Sequence, residues 1–83
     1  MTGPRRSKPR DDAAMPEIAR IGLLFVERRI ALRLTQQALA DLSGVSRSGI
    51  QSLERGNGSI RLASVQAIAD VLGLHLDIGT TME

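Results

Sequence analysis

The chain has 83 residues, with eleven Lys and Arg against nine Asp and Glu and a net charge of +2, so it forms one small domain whose charge balance alone neither demands nor excludes a polyanionic partner. It contains no cysteine and no tryptophan, which excludes a disulfide framework and a Cys-ligated zinc site and leaves a marginal core that oligomerisation would supplement. No apolar run approaches the roughly 20 residues of a membrane span, Met1-Thr2-Gly3-Pro4-Arg5-Arg6 is not followed by the apolar stretch of a secretory signal, and no glycine-rich phosphate loop, nucleophile–histidine–carboxylate set or metal-ligand cluster is present. The expectation is a cytoplasmic protein that is not an enzyme and uses no cofactor or metal.

In chain order, residues 1–15 hold two prolines, four cations and Asp11-Asp12 with almost nothing apolar. Such a segment cannot offset its ordering entropy and reads as a disordered basic arm. Pro16 suits the first turn of a helix, and helical periodicity runs over 16–32. Ile18, Ile21, Phe25, Arg29 and Leu32 fall on one face, while Ala19, Leu23, Val26 and Ile30 fall on the opposite one, which predicts a helix buried on both sides. Thr35 is a good N-cap for a helix over 36–43 with Leu39 and Leu42 inward, closed by Gly44. Ser46 caps the next helix, over 47–55, with Ile50 and Leu53 inward and Gly56 as its stop. After the turn Gly56-Asn57-Gly58-Ser59, the residues Leu62, Val65, Ile68, Ala69 and Leu72 mark a last helix ended by Gly73. Leu74-His75-Leu76-Asp77-Ile78 alternates with period two, which is the pattern of a strand. The domain is therefore expected over 16–73, a strand over 74–79 and a tail over 80–83.

Ala40, Gly44, Ile50 and Leu53 supply what a helix-turn-helix needs. A small residue lets the second helix approach, a glycine permits a tight turn, and two apolar residues dock the second helix while its other face stays free. That free face carries Arg47, Ser48, Gln51, Ser52 and Arg55. All can hydrogen-bond to base edges or phosphates and none is acidic, whereas an ordinary solvated face mixes acids in. DNA is the expected partner.

Leu34-Thr35-Gln36-Gln37, Leu39-Ala40, Ser43-Gly44-Val45-Ser46-Arg47-Ser48 and Leu53-Glu54-Arg55-Gly56 together resemble the XRE/lambdoid-repressor family, over residues 18–73. The resemblance implies an all-α, lambda-repressor-like bundle of four to five short helices. It also implies that the second helix of the motif enters the major groove, with Arg47, Ser48, Gln51 and Ser52 as base readers. Arg47 would suit guanine and Gln51 adenine. Gln36 corresponds to the family's phosphate clamp at a helix N-terminus, and Ser46, Arg55, Asn57, Ser59 and Arg61 are further phosphate candidates. Arg29 and Glu54 match an internal ion pair of lambdoid repressors and are read as structure. Two departures stand out. Ala38 replaces a common capping acid or amide, weakening the Thr35 cap, and Gly49 lowers the helicity of the reading helix unless it lets the backbone approach DNA.

The chain is most similar to HipB-type antitoxins, which end just after a strand that follows the last helix. By that resemblance, Leu74, Leu76 and Ile78 would pair antiparallel with a second copy, removing an exposed edge and placing two reading helices about one DNA turn apart on a palindromic operator. Leu23, Val26 and Ile30 either widen that homodimer contact or receive a second protein, in a HipB-type system a HipA-like toxin kinase. His75 lies on the polar side of the strand. The expected function is a sequence-specific repressor that serves as antitoxin and autoregulator. The alternatives are a stand-alone XRE-family regulator, such as a phage repressor or restriction-modification controller, and a protein-binding module of the same fold without DNA contact. The arm over 1–15 is a solvated leader more readily than an arm that follows DNA phosphates.

Overall fold

A computed structural model describes residues 15–81. Within them four helices pack around one core: α1 (Pro16–Ala31), α2 (Gln36–Ser43), α3 (Arg47–Glu54) and α4 (Leu62–Leu72). The basic arm, Met15 excepted, and the last two residues of the tail lie outside the described residues. An eight-residue helix such as α3 is too short to persist alone, since isolated helices below about 12 residues are marginal in water. It persists here because it packs against α1, α2 and α4 together. Ile50 and Leu53 of α3 are buried with Phe25, Leu39, Ala40, Ile68, Ala69 and Leu72, each large side chain contributing about 1.5–3 kcal/mol by leaving water.

Local chemistry sets the helix ends. Pro16 opens α1 in its first turn. The hydroxyl of Thr35 accepts from the Ala38 N–H at 2.9 Å, and that of Ser46 accepts from the Gly49 N–H at 3.1 Å. Ala38 therefore does not prevent the Thr35 cap, because the bond uses the backbone of that position and not its side chain. Helices α1, α3 and α4 each end on a left-handed residue, Arg33, Gly56 and Gly73. In each case the next N–H reaches back five residues: Leu34 to Arg29, Asn57 to Ser52 and Leu74 to Ala69. This is the Schellman closure, and at α1 it is built on an arginine with φ of 61° where glycine is usual.

Several expectations about faces are corrected. Only one side of α1 is buried: Phe25 and Gly22 are inside, whereas Leu23 is 53% and Ile30 59% exposed. Leu32, which caps α1, and Leu62, which opens α4, are exposed, each at a helix end. Leu42 was expected inward and is 62% exposed. The buried arc of α2 is centred on Leu39 and Ala40, and at about 100° per residue Leu42 falls on the far side of Leu39 from Ala40. No strand forms over 74–81 among the described residues, because a single chain offers this segment no edge to pair with. Leu74 packs on the core, Leu76 is exposed and Ile78 is 94% exposed.

Helix α1 approaches the end of α3 closely at Gly22. A Cβ at Gly22 would stand 2.3 Å from the Leu53 carbonyl oxygen and 3.2 Å from the Gly56 nitrogen, so the backbones meet where only a hydrogen fits. Further along α1, Arg28 donates through Nε to the Leu72 carbonyl at 2.8 Å, satisfying an orphan acceptor in the last turn of α4.

Candidate nucleic-acid interface

The turn between α2 and α3 is short because its groups bond internally. Gly44, at φ 77°, donates to the Ala40 carbonyl at 2.9 Å, and the Val45 N–H donates to the Ser43 hydroxyl at 3.2 Å. Val45 turns inward onto the core. Its Cγ1 would stand 2.9 Å from a Cβ at Gly49. The glycine in α3 thus serves internal packing against Val45, and its lost helicity accompanies that contact.

With Ile50 and Leu53 buried, the opposite face of α3 looks outward. Arg47, Ser48 and Arg55 are exposed, and Gln51 and Ser52 are half-buried. The four base-reading candidates therefore share one accessible helical face, and none is folded into the core. The one acid of α3, Glu54, is withdrawn from this face. Its carboxylate accepts from Arg29 Nε at 2.6 Å on one oxygen and from Arg29 Nη2 at 3.1 Å on the other. The two side chains are only 14% and 7% exposed. Arg29 also donates to the Leu34 carbonyl at 2.8 Å, so the ion pair expected here ties α1, the loop after it and the end of α3 into one unit. Such a fork-to-fork pair, mostly out of water, holds its geometry better than a surface pair.

Gln36 occupies a different place from that of a free clamp. Its Nε2 donates to Glu54 Oε1 at 2.9 Å, and its Oε1 accepts from Gln51 Nε2 at 3.4 Å. The side chain is engaged on both sides, and it sits at the first residue of α2 beside the N–H groups that a first helical turn leaves without intrahelical partners. Among the other phosphate candidates, the Ser46 hydroxyl caps α3 and shares a hydrogen bond with the Ser48 hydroxyl at 3.1 Å. Asn57 Oδ1 accepts from the Ser59 N–H at 3.0 Å and shapes the turn after α3. Arg55, Ser59 and Arg61 are exposed beside that turn.

The residues expected to dimerise lie on another part of the molecule. Leu74 and Leu76 line an apolar groove against Leu24 and Phe25 of α1, and Leu76 and Ile78 border a second groove with Ile18, Ile60 and Val65. Of the α1 stripe, Leu23 and Ile30 are exposed and Val26 is half-buried. Gly22, Arg28 and the hydrogen bonds of the Glu54–Gln36–Gln51 chain lie outside what the motif marks. A glycine inside an apolar helical pattern was the available signal for the first, and nothing local marks the others.

Two short helices joined by a tight glycine turn, the second buried on one face and presenting polar and cationic groups on the other, define a helix-turn-helix regulator of the DNA-binding type. The helix-turn-helix family profile HTH_3 matches residues 26–78, and the chain belongs to that family. No curated protein matches the sequence. Among solved structures, the chain is similar to the restriction-modification controller protein C.AhdI from Aeromonas hydrophila, with 32% identity and a TM-score of 0.66 over 72% of this chain and 91% of that one. No helix among the described residues is long and apolar enough to cross a membrane.

Proposed function

We propose that this protein is a sequence-specific transcription regulator that binds a palindromic operator as a homodimer. The observation that carries this reading is the outward face of α3, where Arg47, Ser48, Gln51 and Ser52 are accessible together while the only acid of the helix is held by Arg29. Arg47 would read guanine through its two-pronged guanidinium. Arg55 and Arg61, with Ser46, Asn57, Ser59 and the free N–H groups at the start of α2, would hold phosphates. Dimerisation through Leu74, Leu76 and Ile78 would cover the exposed apolar edge and set the spacing of two half-sites.

The likeness to a restriction-modification controller favours the stand-alone regulator over a HipB-type antitoxin, and no observation calls for a toxin kinase on Leu23, Val26 and Ile30. The test is selection of duplexes from a randomised pool, followed by binding across a salt series. Enrichment of a two-fold symmetric site, with affinity falling linearly in log–log form as salt rises, is the expected result. A chain that enriches no sequence, or binds without salt dependence, is not this kind of regulator. Sedimentation of the free protein then separates dimer from monomer.

A further inference from the structure

We infer that Gln36 is a positioning residue for base readout: the part-buried Glu54 carboxylate, acting through Gln36, fixes which way the Gln51 amide faces and thereby makes Gln51 a reader of adenine in preference to guanine. The inference rests on the DNA-binding reading above and concerns the same face of α3. Its starting point is the chain of contacts Arg29–Glu54–Gln36–Gln51.

An ionised carboxylate can only accept hydrogen bonds. Glu54 already receives both prongs of Arg29, and its Oε1 takes a third bond, from Gln36 Nε2 at 2.9 Å. Gln36 therefore cannot turn its amide over, since doing so would set its own oxygen against a carboxylate oxygen. With the nitrogen committed to Glu54, the Gln36 oxygen faces Gln51. Gln51 must answer with a donor, and its Nε2 stands 3.4 Å away. The polarity of a part-buried ion pair is thus passed through two amides to a side chain on the groove-facing helix.

The consequence is a restricted hydrogen-bonding edge. One N–H of Gln51 is turned toward Gln36, which leaves Oε1 and the other N–H for the groove. An acceptor beside a donor complements adenine, which offers a donor at N6 and an acceptor at N7. Guanine offers two acceptors, O6 and N7, and would set O6 against the Gln51 oxygen. An untethered glutamine could swing its NH₂ group to face both guanine acceptors. A tethered one cannot do so without breaking the bond to Gln36.

The experiment starts from the site that the native protein selects from a randomised duplex pool. Affinities for every single-base-pair variant of that site are then measured for the native protein, Gln51→Ala, Gln36→Met, Gln36→Lys and the double variant Gln36→Met with Gln51→Ala. Methionine keeps the length of the side chain without its amide. Lysine keeps a donor for Glu54 but has no acceptor for Gln51, and it adds a charge that a phosphate clamp would welcome. The positioning role predicts that Gln51→Ala loses A·T over G·C preference at one position per half-site, about tenfold. Gln36→Met and Gln36→Lys should lose it at the same position, with no further loss in the double variant. Circular dichroism melts identify any variant whose fold is lost, and the lysine variant, with its donor for Glu54, carries the test if methionine unfolds the domain. The inference is overturned if position-36 variants weaken all duplexes alike while the preference persists, if Gln36→Lys binds more tightly with specificity intact, or if Gln51→Ala changes no single position. A native protein that enriches no sequence would instead defeat the DNA-binding reading on which the inference stands.

Discussion

Adding one methyl group at Gly22 should cost the fold more than the helix gains from it. In an exposed helix, Gly→Ala stabilises by about 1 kcal/mol, and Gly22 lies mid-helix in α1, so intrinsic preference argues for alanine. The new Cβ, however, would stand 2.3 Å from the Leu53 carbonyl oxygen and 3.1 Å from that of Glu54. These are backbone atoms at the end of α3 and cannot rotate aside, so α1 and α3 must part by roughly 1 Å to restore ordinary contact distance. Parting them loosens Phe25 against Leu53 and stretches the Arg29–Glu54 pair, whose shorter bond is 2.6 Å. Overpacking alone costs about 1–3 kcal/mol, and the loosened contacts add to it. We expect a net loss of about 2 kcal/mol, or roughly 8–16 °C in melting temperature for a domain of this size. Urea and thermal melts of Gly22→Ala by circular dichroism at fixed protein concentration give the number, with Gly79→Ala, which meets nothing within 4 Å, as control. A Gly22→Ala protein as stable as the native one would refute the tight approach of α1 to α3.

Gly44→Ala should cost about 1–2 kcal/mol and Gly44→Asn less, because φ is 77° with open space around the position and the penalty is backbone strain alone; equal melts for the two would count against that cause. Arg33→Gly should leave stability unchanged or raise it by up to about 1 kcal/mol, since Arg33 adopts φ of 61° where glycine is unstrained, and a fall in melting temperature would speak against it. Arg29→Ala should lose about 3 kcal/mol or more by stranding Glu54; a loss typical of a surface pair, below about 1 kcal/mol, would show that water already screens it. Arg47→Ala should leave the melt unchanged while relaxing preference at one base pair per half-site, by about 1–3 kcal/mol, and a uniform loss over all duplexes would make it a phosphate contact instead.

Much of the fold was legible because its determinants are local. The Thr35 and Ser46 caps, the stops at Gly44, Gly56 and Gly73, and the bounds of α4 depend on residues within one turn of each other. The outline of the candidate site was legible for a related reason: burial of Ile50 and Leu53 fixes by helical geometry alone that Arg47, Ser48, Gln51 and Ser52 face away. What stayed hidden depends on distant partners. Leu42 reads as inward until the packing of α2 on α3 and α4 decides where its buried arc lies. Arg28 looks like any helical cation until the end of α4 arrives 44 residues later. Gln36 looks free until Glu54 is brought to it from 18 residues away. The period-two segment after Gly73 has the pattern of a strand, but pairing is a property of two segments, and one chain supplies only one.

Glu54 brings these levels together. An acid in the last residue of a helix opposes the helix dipole and is locally the wrong choice. Local choices that disagree with the fold tend to mark positions with another task. Here the acid is held in place by Arg29 from α1, and Arg29 also closes the α1–α2 loop through the Leu34 carbonyl. The same carboxylate orients Gln36 at the start of α2. One unfavourable residue thereby links three helices through its hydrogen bonds. Changes at Arg29 or Glu54 should for that reason disturb stability and readout together, whereas changes at Arg47 or Ser48, which no core contact uses, should separate them.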